Sequence, residues 1–225
     1  MQRFRKILIT AGLFLALVTM SFGNSFTSAA ERPDLPLRWR TNVVPIAISS
    51  SILRSNPNVK SGTDVEAAIR RSLKTWEETS GIEFDVTFSD KINVSPHNVG
   101  DGVSLITIAA TADNVLLFAK NPGDVAATTR VFYDTRGRIS EADIALNPYQ
   151  QFSSDGTFGS FDLESTLTHE IGHLLGLDHS PMRGSVMYDN FAKNGLFGIQ
   201  GFLHRTLSET DRALVRVKYG SNDSD

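Results

Sequence analysis

The chain has 225 residues, 25 acidic against 22 basic side chains, a formal charge of −3 and no cysteine. The absence of a basic run argues against nucleic acid as a partner, and the absence of cysteine excludes a disulfide framework or a lipid-modified cysteine. Beyond the first thirty residues the length suits one domain that buries its own core.

In chain order, residues 1–30 read as a secretory signal peptide. Arg3, Arg5 and Lys6 form a basic start, Ile7 to Val18 an apolar run, and Ser28-Ala29-Ala30 a cleavage site. The alternative is an uncleaved membrane anchor, but the apolar run is short beside the about 20 residues that span a bilayer. A secreted or periplasmic location is expected, with membrane association only if the segment is retained. A strand is expected at 43–48. A helix follows over 63–80, with Thr63 and Glu66 at capping-box spacing and Val65, Ile69, Leu73 and Trp76 on one face. Residues 82–88 alternate as a strand does. Stretches 103–109, 125–133 and 139–146 are further strands, the last two joined by a hairpin turn at Thr135-Arg136-Gly137.

The next helix, 162–175, has Asp162 as N-cap and an apolar stripe of Leu163, Leu167, Ile171 and Leu174. Beside that stripe the chain reads H-E-I-G-H-L-L-G-L-D-H from 169 to 179. At about 100° per residue, His169 and His173 lie about 40° apart and can share one metal. His179 would lie about 240° further round a continued helix, so the chain must leave the helix first. Gly176 does this most cheaply, in a left-handed conformation. Glu170 is placed as general base for a metal-activated water. Chance supplies the full eleven-residue pattern on the order of once in 10⁵ chains of this length. A third helix begins at Ser208, with Asp211 three residues on, and ends near Gly220; residues 221–225 read as a disordered tail. The sum is an α+β domain: about five strands in a mixed sheet, with three helices packed on it.

Ser185-Val186-Met187-Tyr188 follows the third histidine at the distance of the methionine turn of metzincin proteases. With Ser180 directly after His179, the motif resembles that of the matrixins, the matrix-metalloprotease branch of that group. Residues 38–49, 64–84, 139–147 and 207–220 resemble the matrixin first strand, first helix with second strand, pre-motif strand and closing helix.

The resemblance implies a single metzincin-like catalytic domain over 31–220, whose active-site helix is followed by a Met-turn. It implies a secreted zinc endopeptidase acting on proteins or peptides, expected as a monomer. One catalytic zinc would be held by His169, His173 and His179, with Glu170 as catalytic base and Met187 as an apolar floor that does not bind the metal. Substrate would lie along the strand near Val125 to Val131, and Tyr188 with the loop to about Thr206 would wall the specificity pocket. In some metzincins a tyrosine two residues past the Met binds zinc; here that place is Asp189, so Tyr188 reads as pocket wall rather than ligand. The apolar residues of the 188–206 loop suit either a pocket or core packing. The start of the resemblance leaves no room for a folded pro-domain, so the mature chain is expected to need no activating cut.

A second, structural zinc is not expected. The positions that hold it in vertebrate-type matrixins carry Ala145 and Thr128 or Thr129, and His97 and His204 lie outside any ligand spacing. Calcium (Ca2+) remains open: Asp113, Asp124, Asp134, Glu141 and Asp143 lie in or near loops, but carboxylates there are usually just solvated. The competing readings are an inactive zinc-bearing binding module, a metalloenzyme acting on a non-peptide bond, and a membrane-anchored interaction protein. The intact ligand-and-base set weighs against the first, and the long motif against the second.

Overall fold

Short apolar strands pair into one mixed sheet in the computed structural model, which describes residues 36–96, 99–120, 122–123, 125–189, 192–195 and 203–220. The strands are β1 (Arg38–Trp39), β2 (Val43–Ser49), β3 (Glu83–Ser89), β4 (Leu105–Thr107), β5 (Ala127–Tyr133) and β6 (Arg138–Leu146). Their order is β1-β6-β4-β2-β3, with β5 on the other flank of β6. All pairs are parallel except β5 with β6, which a tight turn at 134–137 joins as an antiparallel hairpin. A parallel neighbour needs a crossover, and α1 (Val65–Ser80) supplies it between β2 and β3.

β6 shows how the sheet sorts its faces. Ala142, Ile144 and Leu146 enter the main core, where α1 and α3 (Leu163–Leu174) pack. Ala145, one residue out of phase, joins Val94 and Phe118 in a second cluster on the opposite face. The hairpin places β5 beside α3, with its far edge unpaired among the described residues.

The five expected strands and three long helices are present, with differences. The N-cap of α1 is Asp64, whose carboxylate accepts from Ala67 N at 2.9 Å. Thr63 is held back in the preceding turn, its N–H donating to Lys60 O. β4 covers only three of the seven residues expected, because Thr107 Oγ1 donates to Ile92 O and accepts from Ala109 N, which ends the ladder. Three short elements had no periodic signal: α2 (Ala112–Leu116), capped by Thr111, and the paired two-residue strands β7 (Phe152–Ser153) and β8 (Phe161–Asp162). α4 (Glu209–Tyr219) starts as expected, with Ser208 and Asp211 closing a capping box. Among the described residues no helix is long and apolar enough to cross a membrane. The signal peptide expected at 1–30 and the tail expected at 221–225 lie outside the described residues.

Candidate metal centre

The site is built on α3, whose apolar stripe of Leu163, Leu167, Ile171 and Leu174 is fully buried. Asp162 caps it as expected, accepting from Ser165 N at 2.8 Å. His169 and His173 stand one turn apart with rings edge-to-face, centroids 4.6 Å apart. The helix ends at Leu174, and Gly176 takes φ +83°. Gly176 N donates to His173 O, and Leu177 N to Gly172 O. That is a Schellman closure, which needs the left-handed residue at this place. A Cβ on Gly176 would run into the Leu37 carbonyl. The reversal brings His179 back, its Nε2 3.2 Å from that of His173, while His173 Nε2 lies 3.0 Å from His169 Nε2.

The outer nitrogens fix what the inner ones present. His169 Nδ1 donates to Val186 O at 2.7 Å and His173 Nδ1 to Leu177 O at 2.8 Å. A carbonyl only accepts, so both rings carry their proton on Nδ1 and turn an Nε2 lone pair inward. Burial pushes the His169 pKa down to about 3, and the neighbouring His179 acts the same way, so His169 is a neutral imidazole at physiological pH. The ligand nitrogens of His169, His173 and His179 converge within 4.8 Å of one another, and at least the lone pairs of His169 and His173 face inward, as a bound cation would require. Tetrahedral zinc with bonds of 2.0–2.1 Å sets its ligand nitrogens ~3.3 Å apart. The donor set thus fits zinc in both chemistry and spacing. Among the described residues this is the one group of three or more His, Cys, Asp or Glu side chains that can hold a metal.

The turn after His179 supports the cluster from below. Met187 is fully buried, and its Sδ fills the space that a side chain on Gly172 would need. Ser180 N donates to Met187 O, tying the two turns together. The buried Asp211 carboxylate at the head of α4 accepts from Ser185 Oγ, from Val186 N at 3.0 Å and from Ser208 N at 2.8 Å. It therefore holds the carbonyl that holds His169. Its place in the helix cap shows in the sequence; its reach across 25 residues to Val186 does not.

Glu170 follows His169 on α3 and is 6% exposed. Its Oε2 accepts from Thr129 Oγ1 at 2.5 Å. This contact crosses 41 residues and is not among the sequence expectations, which place Thr129 in the substrate strand and at a position lacking a structural-zinc ligand. Ala145, the other such position, is enclosed by apolar neighbours. His204 stands apart from the triad, with its N–H on Ser165 Oγ and Nδ1 3.2 Å from Gly184 O. His97 and Asp124 lie outside the described residues.

Among the described residues the other acidic candidates do not come together as a group of three or more. Asp113 accepts from Asn93, and Asp134 closes the β5–β6 turn. Asp143 accepts from Ser95 N and Leu105 N, and Glu141 from Gly102 N. Tyr188 is half-buried and bridges to Ser180, while most of the loop beyond it lies outside the described residues.

A family model described as matrixin matches residues 38–220. The hatching enzyme of Paracentrotus lividus is 28% identical over 198 residues, which cover 83% of this chain and 27% of that protein. Metalloendoproteinase 1-MMP of Arabidopsis thaliana is 30% identical over 160 residues, 67% of this chain and 38% of its own. Matrix metalloproteinase-2 of Drosophila melanogaster is 27% identical over 176 residues, 77% of this chain and 20% of its own. The chain spans well under half the length of these three relatives. With the match running from β1 through α4 and taking in the whole histidine cluster, the chain belongs to the matrixin family.

Proposed function

We propose that this protein is an exported zinc endopeptidase that hydrolyses peptide bonds in protein substrates. The observation that carries the reading is the convergence of the His169, His173 and His179 Nε2 atoms at the C-terminal end of the helix that also bears Glu170. Family membership supports it. His169, His173 and His179 would hold the zinc, which when bound polarises the scissile carbonyl and makes water nucleophilic near neutral pH.

The remaining work falls to the chain's own side chains. Glu170 takes a proton from the attacking water and returns it to the departing amine. Carbonyls of Val186 and Leu177 keep His169 and His173 in the tautomer that leaves Nε2 free for metal. Met187 serves as the Met-turn floor, which fits its full burial against Gly172. Substrate adds as a strand along the free edge of β5, where backbone groups supply the hydrogen bonds. Tyr188 walls the pocket that chooses the side chain next to the cut. The leader at 1–30 supports export to a periplasmic or extracellular space.

The test is cleavage of casein or a peptide library by the mature chain, with zinc measured on the same sample. Wild type should cut and Glu170→Ala should not, with one zinc retained in both. Full cleavage by Glu170→Ala removes Glu170 from its role.

A further inference from the structure

We infer that Thr129 is a positioning residue for the general base: its hydroxyl fixes the Glu170 carboxylate through Oε2. This rests on the reading of Glu170 given above.

Thr129 sits in β5, 4% exposed, with its side chain turned toward α3. The next residue, Arg130, faces the other way and donates to Ser95 O, as strand alternation requires. The Thr129 hydroxyl has two acceptors in reach, Glu170 Oε2 at 2.5 Å and the Glu170 backbone carbonyl at 3.1 Å. It has one proton. The shorter contact has the length of a charge-assisted O–H···O⁻ bond, so the proton goes to the carboxylate.

A glutamate reaches its site through three rotatable bonds, and an untethered carboxylate would sample several orientations. Threonine is well suited to stop this. Its branched Cβ restricts χ1, so the hydroxyl arrives from one direction while the methyl packs in the strand. The anchor also belongs to a different element from the base. Glu170 is held between its own helix and the strand proposed to receive substrate.

The test compares Thr129→Val, which keeps the shape and removes the hydroxyl, with Thr129→Ser, which keeps the hydroxyl. On a fluorogenic peptide, Thr129→Val should lower kcat about tenfold, as loss of one hydrogen bond to a charged group predicts. KM and zinc affinity, read by chelator competition, should stay within about twofold of wild type. Thr129→Ser should recover most of kcat. Unchanged kcat in Thr129→Val, or no recovery in Thr129→Ser, overturns the inference.

A second readout needs no turnover. In zinc-loaded protein, the melting-temperature loss caused by Thr129→Val should shrink when Glu170→Ala is already present. Equal losses in both backgrounds overturn the contact. If wild type cleaves nothing but the thermal coupling is found, the proposed function fails while the Thr129–Glu170 bond stands.

Discussion

α1 and α3 pack against each other and follow opposite rules. α1 buries seven of its sixteen residues and leaves Arg70, Lys74 and Glu78 in water. α3 buries all twelve, although seven of them are polar or ionisable. Leaving a buried polar group unpaired costs about 1–3 kcal/mol, so each such residue on α3 has a partner. Arg71 of α1 donates to Glu164, and Trp76 of α1 to Thr168 O. Thr166 and Thr168 donate back one turn, to Asp162 O and Glu164 O. Glu170 takes Thr129, and His169 takes Val186. The lesson is a division of labour: α1 is an ordinary amphipathic helix, while α3 holds reactive groups out of water only because several other elements satisfy its polar side chains.

That contrast can be broken most sharply at the histidines. His173→Ala removes the nitrogen that lies against both other histidines. It should abolish zinc binding and cut peptide hydrolysis by about 10³-fold or more, measured as kcat/KM alongside metal content. The equivalent change on α1 would leave both untouched.

A buried acid outside both helices sharpens the point. Asp143 has backbone donors at both oxygens, yet burial, the dominant cause, raises its pKa to about 6. The folded value lies above the unfolded one, so its contribution to stability is present below about pH 4 and is lost as pH rises through 6. The loss is ~3 kcal/mol at most. Relative to wild type, Asp143→Asn should therefore gain stability between pH 4 and 6 in urea melts. A flat difference across that window contradicts the assignment.

Smaller effects separate the helix interiors from their surfaces. Gly172→Val on α3 drives a side chain into Met187 and Trp76 and should cost about 2 kcal/mol in urea unfolding. Lys74→Ala on α1 loses only a long exposed ion pair to Glu78 and should change stability by less than about 0.5 kcal/mol. Comparable costs at the two sites would contradict this difference between the helices.

The sequence already carried much of this. The histidine spacing, Gly176 as the point of departure and the caps at Asp162 and Ser208 are local signals, readable because a helix has a fixed pitch and its ends have fixed needs. The α1 cap lies one residue later than the capping-box spacing suggests, because Thr63 and Asp64 are both good caps and only the turn to Lys60 decides between them. β4 is shorter than the stretch 103–109 suggests, because Thr107 ends it through a side-chain bond to Ile92. Thr129 on Glu170 and Asp211 on Val186 left no trace in any window, since folding alone brings together residues 41 and 25 positions apart.

The most direct test is X-ray absorption on protein titrated with zinc, together with its His173→Ala variant. The account predicts one zinc per chain with three nitrogen ligands at about 2.0–2.1 Å, lost in the variant. A protein that takes up no zinc, or one whose zinc site survives His173→Ala unchanged, contradicts it.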